Sequence, residues 1–298
     1  MRGTADRVAR TKVLETARPT EKARGSVNGY EKELAAATRA ARRAAALIRE
    51  HAGHVEEREI RHKALNDLVT EADEAAQRII IRTLQETFPD AAFLAEEGDV
   101  HDDVADEGRL WLIDPIDGTT NFTRGVPPFA VSIGLRDGDE MVAGVILDVS
   151  QDDLFTAVRG HGTYVNGKRC TVSTTDRLKD SLITTGFPYR EIDYVDVYLE
   201  VLGDFMRHSR GLRRPGSAAV DLAYVAAGRF DGFFEAGLQA WDIAAGALIV
   251  EEAGGRVTNF SDEEDPLFDE QVLATNLRIH GEMLELVARL EHVPQRTS

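Results

Sequence analysis

Two aspartates that stand three residues apart, Asp114 and Asp117, are the residues with the clearest capacity for chemistry. They follow an apolar run, and Pro115 between them keeps Asp114 extended, so the chain is expected to turn here. Gly118 lets a ligand approach the backbone closely, and residues 119–121 are of types that begin helices. Free N–H groups at a helix start favour a phosphate. Taken alone, the pattern favours an Asx-turn with a helix cap, so the rest of the chain must decide.

Further acidic side chains stand at the ends of apolar elements elsewhere in the chain. Glu96 follows an apolar run at residues 92–94, and Asp242 opens a strongly apolar helix, where it could simply be the N-cap. We expect both to meet the aspartate pair in one cleft. Oxygen ligands without nearby histidine or cysteine select a hard cation, Mg²⁺ or Mn²⁺, rather than zinc.

Hydrolysis of a phosphate monoester is the chemistry that such a cleft would serve. Two or more cations about 4 Å apart can stabilise both the attacking and the leaving oxygen and activate a water molecule. Carboxylates packed together without cations would protonate instead. Bound cations would also let an acidic protein attract a dianion.

Composition excludes several other classes of function. The net charge of −17 argues against nucleic acid as the main partner. No apolar stretch approaches the roughly 20 residues that a membrane span needs, and no secretory signal is evident, so we expect a cytoplasmic protein. Cys170 is the single cysteine, which excludes an internal disulfide framework and a cysteine-based zinc site.

The elements that must position these acids change in character along the chain. Helical periods at residues 30–50 and 71–88 precede apolar runs that predict a mostly antiparallel sheet. The predicted strands are 110–113, 129–135, 141–149, 154–158 and 162–165, with a hairpin turn at 137–139. Strands and helices then alternate. Strands are predicted at 182–185, 231–234 and 272–275, and helices at 194–208, 218–227, 243–253 and 281–290.

We therefore expect two packed halves, residues 29–180 and 181–298, after an N-terminal segment. Residues 1–28 contain seven Lys or Arg against three Asp or Glu and show no apolar period, which predicts a mobile basic tail.

Four ordered blocks resemble the inositol monophosphatase family, a group of lithium-sensitive, metal-dependent phosphatases. Residues 114–122 resemble its first signature and residues 241–255 its second, while residues 67–73 and the pair Glu96-Glu97 match two further blocks. The resemblance covers most of residues 30–290. It implies an α/β protein of layered α+β type, an αβαβα five-layer sandwich with the metal cleft between its halves. It also implies a homodimer and inhibition by Li⁺.

The resemblance assigns metal ligands position by position. Glu96, Asp114 and the Ile116 carbonyl would hold one Mg²⁺, and Asp114, Asp117 and Asp242 a second. Glu96, together with water molecules, would help to hold a third.

The resemblance also assigns catalytic and substrate-binding roles. Asp73 and Thr119 would polarise the attacking water, and no covalent phospho-enzyme would form. The predicted substrate contacts would surround the phosphate and the leaving group. They are Gly118, Thr119, Thr120, Gly216, Ser217, Ala218 and Glu235. Lys63 would correspond to a lysine on a mobile loop.

The substrate class stays open at this level. The predicted substrate is a small phosphorylated polyol or sugar, above all inositol monophosphate. Fructose 1,6-bisphosphate, histidinol phosphate and 3′-phosphoadenosine phosphate are alternatives on the same core. A non-enzymatic alternative is a regulatory partner of an RNA-processing or transcription complex.

Overall fold

The computed structural model of the protein describes residues 29–54, 60–64, 67–98, 108–188 and 194–290. For residues 60–64 and 67–69 it describes the backbone and not the side chains. The basic segment 1–28 and the side chain of Lys63 lie outside the described residues, as do the predictions made for them.

The described part of the chain contains seven α-helices and fourteen strands. The helices are α1 (Glu31–His51), α2 (Glu71–Gln85), α3 (Thr119–Arg124), α4 (Val195–His208), α5 (Ala218–Ala226), α6 (Ala240–Glu252) and α7 (His280–Val287). The first strands are β1 (Ile60–Ala64), β2 (Asp67–Thr70), β3 (Ala92–Ala95), β4 (Arg109–Asp117), β5 (Ala130–Asp137), β6 (Glu140–Asp148), β7 (Asp153–Val158), β8 (Gly162–Val165) and β9 (Lys168–Cys170). The later strands are β10 (Leu182–Thr185), β11 (Gly211–Arg213), β12 (Gly232–Ala236), β13 (Arg256–Thr258) and β14 (Gln271–Thr275).

The strands of the described chain form two large sheets and a small ribbon. The seven-stranded sheet has the order β3-β4-β5-β6-β7-β8-β9 and is antiparallel except where β3 pairs with β4. The five-stranded sheet has the order β11-β10-β12-β14-β13 and is mixed, because β10 is parallel to both of its neighbours. Strands β1 and β2 form the antiparallel ribbon.

Helices separate and cover the two sheets in layers. Helices α1 and α2 pack on one face of the seven-stranded sheet, and α5 and α6 lie between the two sheets. Helices α4 and α7 cover the outer face of the five-stranded sheet. The layered α+β fold, with a first sheet that is almost wholly antiparallel and a mixed second sheet, is therefore confirmed.

The buried faces of the helices follow the spacing of apolar residues in the sequence. A stripe of small side chains lets α1 pack closely, and its buried alanines are Ala36, Ala37, Ala40, Ala41, Ala44 and Ala45. Helix α6, in contrast, is apolar nearly all round, as expected for a helix enclosed between two sheets.

Two paired glycines bring α6 directly onto the seven-stranded sheet. Gly134 and Gly144 lie opposite each other on β5 and β6. A Cβ atom on Gly144 would lie 2.9 Å from the Ala245 carbonyl oxygen, and one on Gly134 would lie 2.9 Å from the Ala244 Cβ. Only glycine allows this approach, which fixes the N-terminus of α6 beside β4.

Two boundaries differ from the predictions in ways that matter for the site. The prediction that the fourth strand ends at Ile113 is wrong, because β4 continues through Pro115 to Asp117. Its pairing with β5 shifts register between Asp114 and Asp117, and this irregularity absorbs the proline. Helix α6 begins three residues earlier than predicted, at Ala240.

We expect Gly144→Ala to destabilise the protein, because the new methyl group must push α6 away from the sheet. The expected loss is about 1–3 kcal/mol of unfolding free energy, or a fall of a few degrees in Tm. Gly281→Ala is the matched control, since a Cβ there meets nothing within 4 Å. Thermal unfolding of both variants measures the difference, and equal Tm values would contradict the proposed close contact.

Candidate functional site

The N-terminus of α2 holds Asp73 in a fixed orientation. Thr70 is the N-cap, and the Thr70 backbone N–H donates to Asp73 Oδ2 over 2.8 Å in a capping box. The Thr70 hydroxyl donates to the same oxygen. Asp73 is fully buried at 0% exposure. One carboxylate oxygen is thus committed to the helix cap, and the other is directed away from it.

That second oxygen of Asp73 accepts a hydrogen bond from Thr119 at the start of α3. The Thr119 Oγ1 lies 3.2 Å from Asp73 Oδ1 and 3.1 Å from the Ile116 carbonyl oxygen. A hydroxyl has one hydrogen to donate, so these two acceptors compete for it. The structure therefore brings together the pair that was predicted to be catalytic.

Asp114 lies at the buried end of β4. The residue is only 2% exposed. Its Oδ1 accepts a hydrogen bond from the Ile116 backbone N–H over 3.0 Å. This local bond forms an Asx-type turn across Pro115, as the spacing of the motif suggested.

Asp117 caps a helix from the other half of the chain. Its Oδ2 accepts from the Ser217 hydroxyl and from the Ala219 backbone N–H, each over 2.6 Å. Ser217 is the N-cap of α5, and its own Oγ accepts weakly from the Val220 N–H. Asp117 and Ser217 thus close the N-terminus of α5 together, where the positive end of the helix dipole favours a carboxylate.

Asp242 occupies the third position of α6 rather than the N-cap. Gln239 is the N-cap, and its backbone N–H donates to Asp242 Oδ2 over 2.8 Å. The interpretation of Asp242 as the N-cap itself is therefore wrong, because the helix begins earlier than predicted. The neighbouring Trp241 carbonyl accepts from the Ser132 hydroxyl of β5 at 3.4 Å, which ties the helix start to the first sheet.

The Glu96-Glu97 pair lies where β3 ends and is held by α2. The Glu97 backbone N–H donates to Gln77 Oε1 over 2.9 Å, and the Gln77 side-chain amide donates to the Glu97 carbonyl. The Glu96 N–H donates to the Ile113 carbonyl over 3.1 Å, which continues the parallel pairing with β4. Gln77 was missed in the sequence, where a single polar residue on a helix carries no signal.

Burial and neighbouring carboxylates raise the pKa of Asp114. Burial raises the pKa of Asp114 well above its ordinary value, and the charges of Glu96, Asp117 and Asp242 raise it further. A hydrogen bond between the Asp114 and Asp242 carboxyl groups acts in the same direction. The four acids predicted as metal ligands therefore lie within electrostatic reach of one another.

Asp73 and Asp117 each have a pKa raised to about 6. For Asp73 burial is the main cause, the charge of Glu96 adds to it, and the hydrogen bonds from Thr70 and Thr119 oppose it. For Asp117 burial again dominates, and the bonds from Ser217 and the α5 backbone oppose it. Acids that share one buried region in this way resist carrying charge together.

The donor set suits a hard divalent cation. The clustered groups are carboxylates with one nearby carbonyl, and these are the ligands of Mg²⁺ or Mn²⁺. As the side chains stand, no group of three or more His, Cys, Asp or Glu within the described residues has the arrangement of a metal centre. Asp117 and Asp242 each direct one oxygen to a helix N-terminus.

The predicted phosphate-binding segment lies against the start of α5. Gly118 has φ 92° and Gly216 φ 99°, the left-handed region that favours glycine. A Cβ on Gly118 would lie 3.0 Å from the Gly216 carbonyl oxygen. Gly216, Ser217 and Ala218 are therefore brought beside the first motif, whereas Thr120 lies on the exposed side of α3.

Two further residues contribute to this region without having been predicted. The Asn121 side chain donates to the Pro128 carbonyl over 2.8 Å and to the Pro215 carbonyl over 2.9 Å, which joins two loops behind the glycines. Asp221 is buried on α5, and this burial raises its pKa well above the ordinary value, with smaller contributions from the charges of Glu235 and Asp117. The charges of Glu235 on β12 and of Asp117 thus both reach Asp221.

A model of the inositol monophosphatase family matches residues 30–293 of the chain. Nus factor SuhB from Escherichia coli (strain K12) is 42% identical over 249 residues, which cover 83% of this chain and 92% of that protein. The crystal structure of extragenic suppressor protein suhB from Bartonella henselae superposes with a TM-score of 0.81 at 40% identity, covering 86% of this chain and 98% of that chain. An IMPase structure from Thermotoga maritima superposes with a TM-score of 0.80 at 36% identity, covering 88% of this chain and all (100%) of that one. In the described part of the chain, no helix has the length and apolar character of a membrane span.

Burial of Asp73 predicts that the metal-free protein loses stability as the pH rises. Its pKa is 3.8 in the unfolded chain and about 6 in the folded protein. The folded state therefore binds the proton more tightly, and this contribution is complete below the lower value and lost as the pH rises through the higher one. We expect a loss on the order of 3 kcal/mol from Asp73 alone. Chemical unfolding in a chelator at several pH values measures it, and stability that rises over this window would contradict the assignment.

We also expect Asp114→Asn to raise the Tm of the chelator-treated protein at neutral pH, because it removes one of several buried like charges. The same variant should lose most of the Tm increase that Mg²⁺ gives the unmodified protein. Asp139→Asn is the control, since the Asp139 side chain is 93% exposed. An unchanged response of Asp114→Asn to Mg²⁺ would exclude Asp114 as a metal ligand.

Proposed function

Because the chain belongs to the inositol monophosphatase family, we propose that it is a Mg²⁺-dependent phosphatase that hydrolyses a small phosphate monoester, with inositol monophosphate as the favoured substrate. One observation carries the proposal. Asp114 is buried at 2% exposure and is surrounded by the charges of Glu96, Asp117 and Asp242. Such a cluster is unfavourable by itself and becomes favourable when cations neutralise it.

The metal ligands in this proposal come from three places in the fold, which are the end of β3, strand β4 and the first turn of α6. Glu96 and the Ile116 carbonyl would join Asp114 around one ion, and Asp117 and Asp242 would join Asp114 around a second. Glu96 would contribute to a third, weaker site. Bound Mg²⁺, or Mn²⁺ in its place, would supply positive charge that stabilises the transferred phosphoryl group. Asp114 is shared by both main sites, which explains why it lies at the centre of the cluster.

Asp73 and Thr119 would handle the proton of the attacking water. Thr70 fixes one oxygen of Asp73, so that the other can accept a proton from the Thr119 hydroxyl. The Thr119 oxygen would then accept a hydrogen bond from the attacking water, while the Thr119 hydroxyl donates its own hydrogen to Asp73. A pKa of about 6 suits this role, because Asp73 would be ionised at neutral pH and still basic enough to matter.

The backbone near Gly118 and Thr119 would hold the phosphate, and the segment around Ser217 would line the leaving-group side with Glu235. The left-handed Gly118 leaves this face of the backbone without a side chain. A panel of inositol, sugar, histidinol and nucleotide phosphates, with released phosphate as the readout, tests the activity and its substrate class. Release from none of them in the presence of Mg²⁺ would overturn the proposed function.

A regulatory role is a second candidate, because Nus factor SuhB proteins are 41–42% identical over more than nine-tenths of their length. The expectation that nucleic acid is an improbable partner rested on net charge, and these relatives give it no support. We propose that the chain also assembles with a transcription complex, and that a homodimer is the assembly that carries the activity.

Thr119→Val should lower kcat by about a hundredfold or more, because it removes the hydroxyl that links water to Asp73 while keeping the side-chain volume. Thr123→Val is a matched control on the same helix, since the Thr123 hydroxyl donates to the Thr120 carbonyl and not to Asp73. Initial rates at saturating substrate and Mg²⁺ give the comparison. Equal kcat values for the two variants would remove Thr119 from the catalytic pair.

Asp117→Asn should separate the two candidate functions. We expect turnover to fall at least about a hundredfold, because a metal ligand is lost. Binding to purified RNA polymerase of the same organism should persist if the regulatory role is independent of catalysis. Turnover within a few-fold of the unmodified protein would show that Asp117 has no ligand role.

A further inference from the structure

Gly186 stands at a position where only glycine leaves room for the Glu235 carboxylate. It follows the last residue of β10, and the register pairs Thr185 with Phe234, so Gly186 lies beside Glu235 on the parallel neighbour β12. A Cβ atom built on Gly186 would overlap the carboxyl group of Glu235, meeting its Oε1, Cδ and Oε2. The Glu235 side chain therefore lies over the bare Cα of Gly186.

Backbone conformation does not explain this glycine. The φ angle of Gly186 lies outside the left-handed region, so an alanine could adopt the same backbone without strain. The obstructing atoms belong to the end of a side chain and not to the backbone. The absence of a side chain at residue 186 thus serves the position of Glu235 and not a turn.

Two hydroxyl groups hold the Gly186 peptide in place. The Tyr198 hydroxyl of α4 donates to the Gly186 carbonyl over 2.5 Å, and the Thr185 hydroxyl lies 3.0 Å from the same oxygen. Tyr198 is only 4% exposed, and its ring packs against Phe234 of β12. Helix α4 therefore fixes the Gly186 peptide, which the Glu235 carboxylate contacts.

Helix α5 links the second sheet, which contains Glu235, with the carboxylate cluster. The Thr184 hydroxyl of β10 donates to Asp221 of α5 over 2.9 Å, and the Ala219 N–H at the start of α5 donates to Asp117. The charges of Glu235 and Asp117 both act on the buried Asp221. The Glu235 carboxylate has two oxygens that can accept hydrogen bonds from hydroxyl groups. It cannot favour an anionic group at the same place, because like charges repel.

We propose that Gly186 is a specificity-determining residue, which seats the Glu235 carboxylate where it accepts hydrogen bonds from the hydroxyl groups of a polyol leaving group. Tyr198 acts as a positioning residue for the same contact. The inference rests on the proposed phosphatase function and deepens it, since it names the feature that would separate polyol phosphates from simple aryl phosphates.

Gly186→Ala tests the proposal kinetically, because it displaces the Glu235 carboxylate without removing it. We expect kcat/KM for inositol 1-phosphate to fall about tenfold to a hundredfold, the effect of losing hydrogen bonds to a charged group. The loss for phenyl phosphate, whose leaving group has no hydroxyl for Glu235 to accept from, should be much smaller. Tyr198→Phe should shift the ratio in the same direction by less. Gly281→Ala, where a Cβ meets nothing within 4 Å, is the control.

A double-mutant cycle on Tm tests the contact independently of any substrate. Gly186→Ala should lower Tm in the unmodified background and leave it unchanged or higher when Glu235→Ala has removed the obstructing carboxylate. Equal effects in both backgrounds would overturn the contact. Equal losses for both substrates would overturn the role in specificity.

Different results would overturn the phosphatase function and the role of Gly186. An unmodified protein that releases phosphate from neither substrate overturns the proposed function, and with it the role of Gly186 in specificity. An active protein in which Gly186→Ala keeps the selectivity of Gly281→Ala overturns the inference about Gly186 alone.

Discussion

The mutual repulsion of buried carboxylates is the constraint on which the rest of the structure depends. Asp114 lies at the centre, with Glu96, Asp117 and Asp242 each raising its pKa. The end of β3, strand β4 and the first turn of α6 deliver these acids, and packing of the core brings these elements together. The repulsion must be offset by packing elsewhere, and the close contact of α6 with Gly134 and Gly144 is one source of that support.

Helix starts form the second part of this arrangement. Asp73, Asp117 and Asp242 each accept a hydrogen bond from a backbone N–H at the first turn of a helix. These bonds favour the ionised form and partly counter the effect of burial. They also leave the other carboxylate oxygen of each residue with a defined direction. Three of the acids are therefore oriented by the first turns of helices, and under the proposed function this orientation would reduce the cost of binding a cation.

Local sequence patterns predicted the presence of most helices and strands better than they predicted the boundaries of these elements. The apolar periods predicted most helices and the hairpin of β5 and β6, because long amphipathic and alternating patterns are strong signals. Strands β11 and β13 were missed, since three residues carry too little pattern. Pro115 ended the predicted strand too early, because the tolerance of a proline at a bulge depends on tertiary pairing. The support from Gln77 and Asn121 depends on contacts across 20 and 94 residues of sequence, which no local pattern contains.

The carboxylate cluster and the contact between Gly186 and Glu235 depend on different physical interactions. The acids of the cluster act on one another through their charges, so a change at Glu96, Asp117 or Asp242 affects the pKa of Asp114. A Cβ at Gly186 would meet the end of the Glu235 side chain and not a backbone atom. Under the proposed role of Gly186, an alanine there alters the fit of the leaving group and leaves the charges of the cluster in place. The proposed chemistry then depends on long-range charge, and the proposed selectivity depends on a single steric contact.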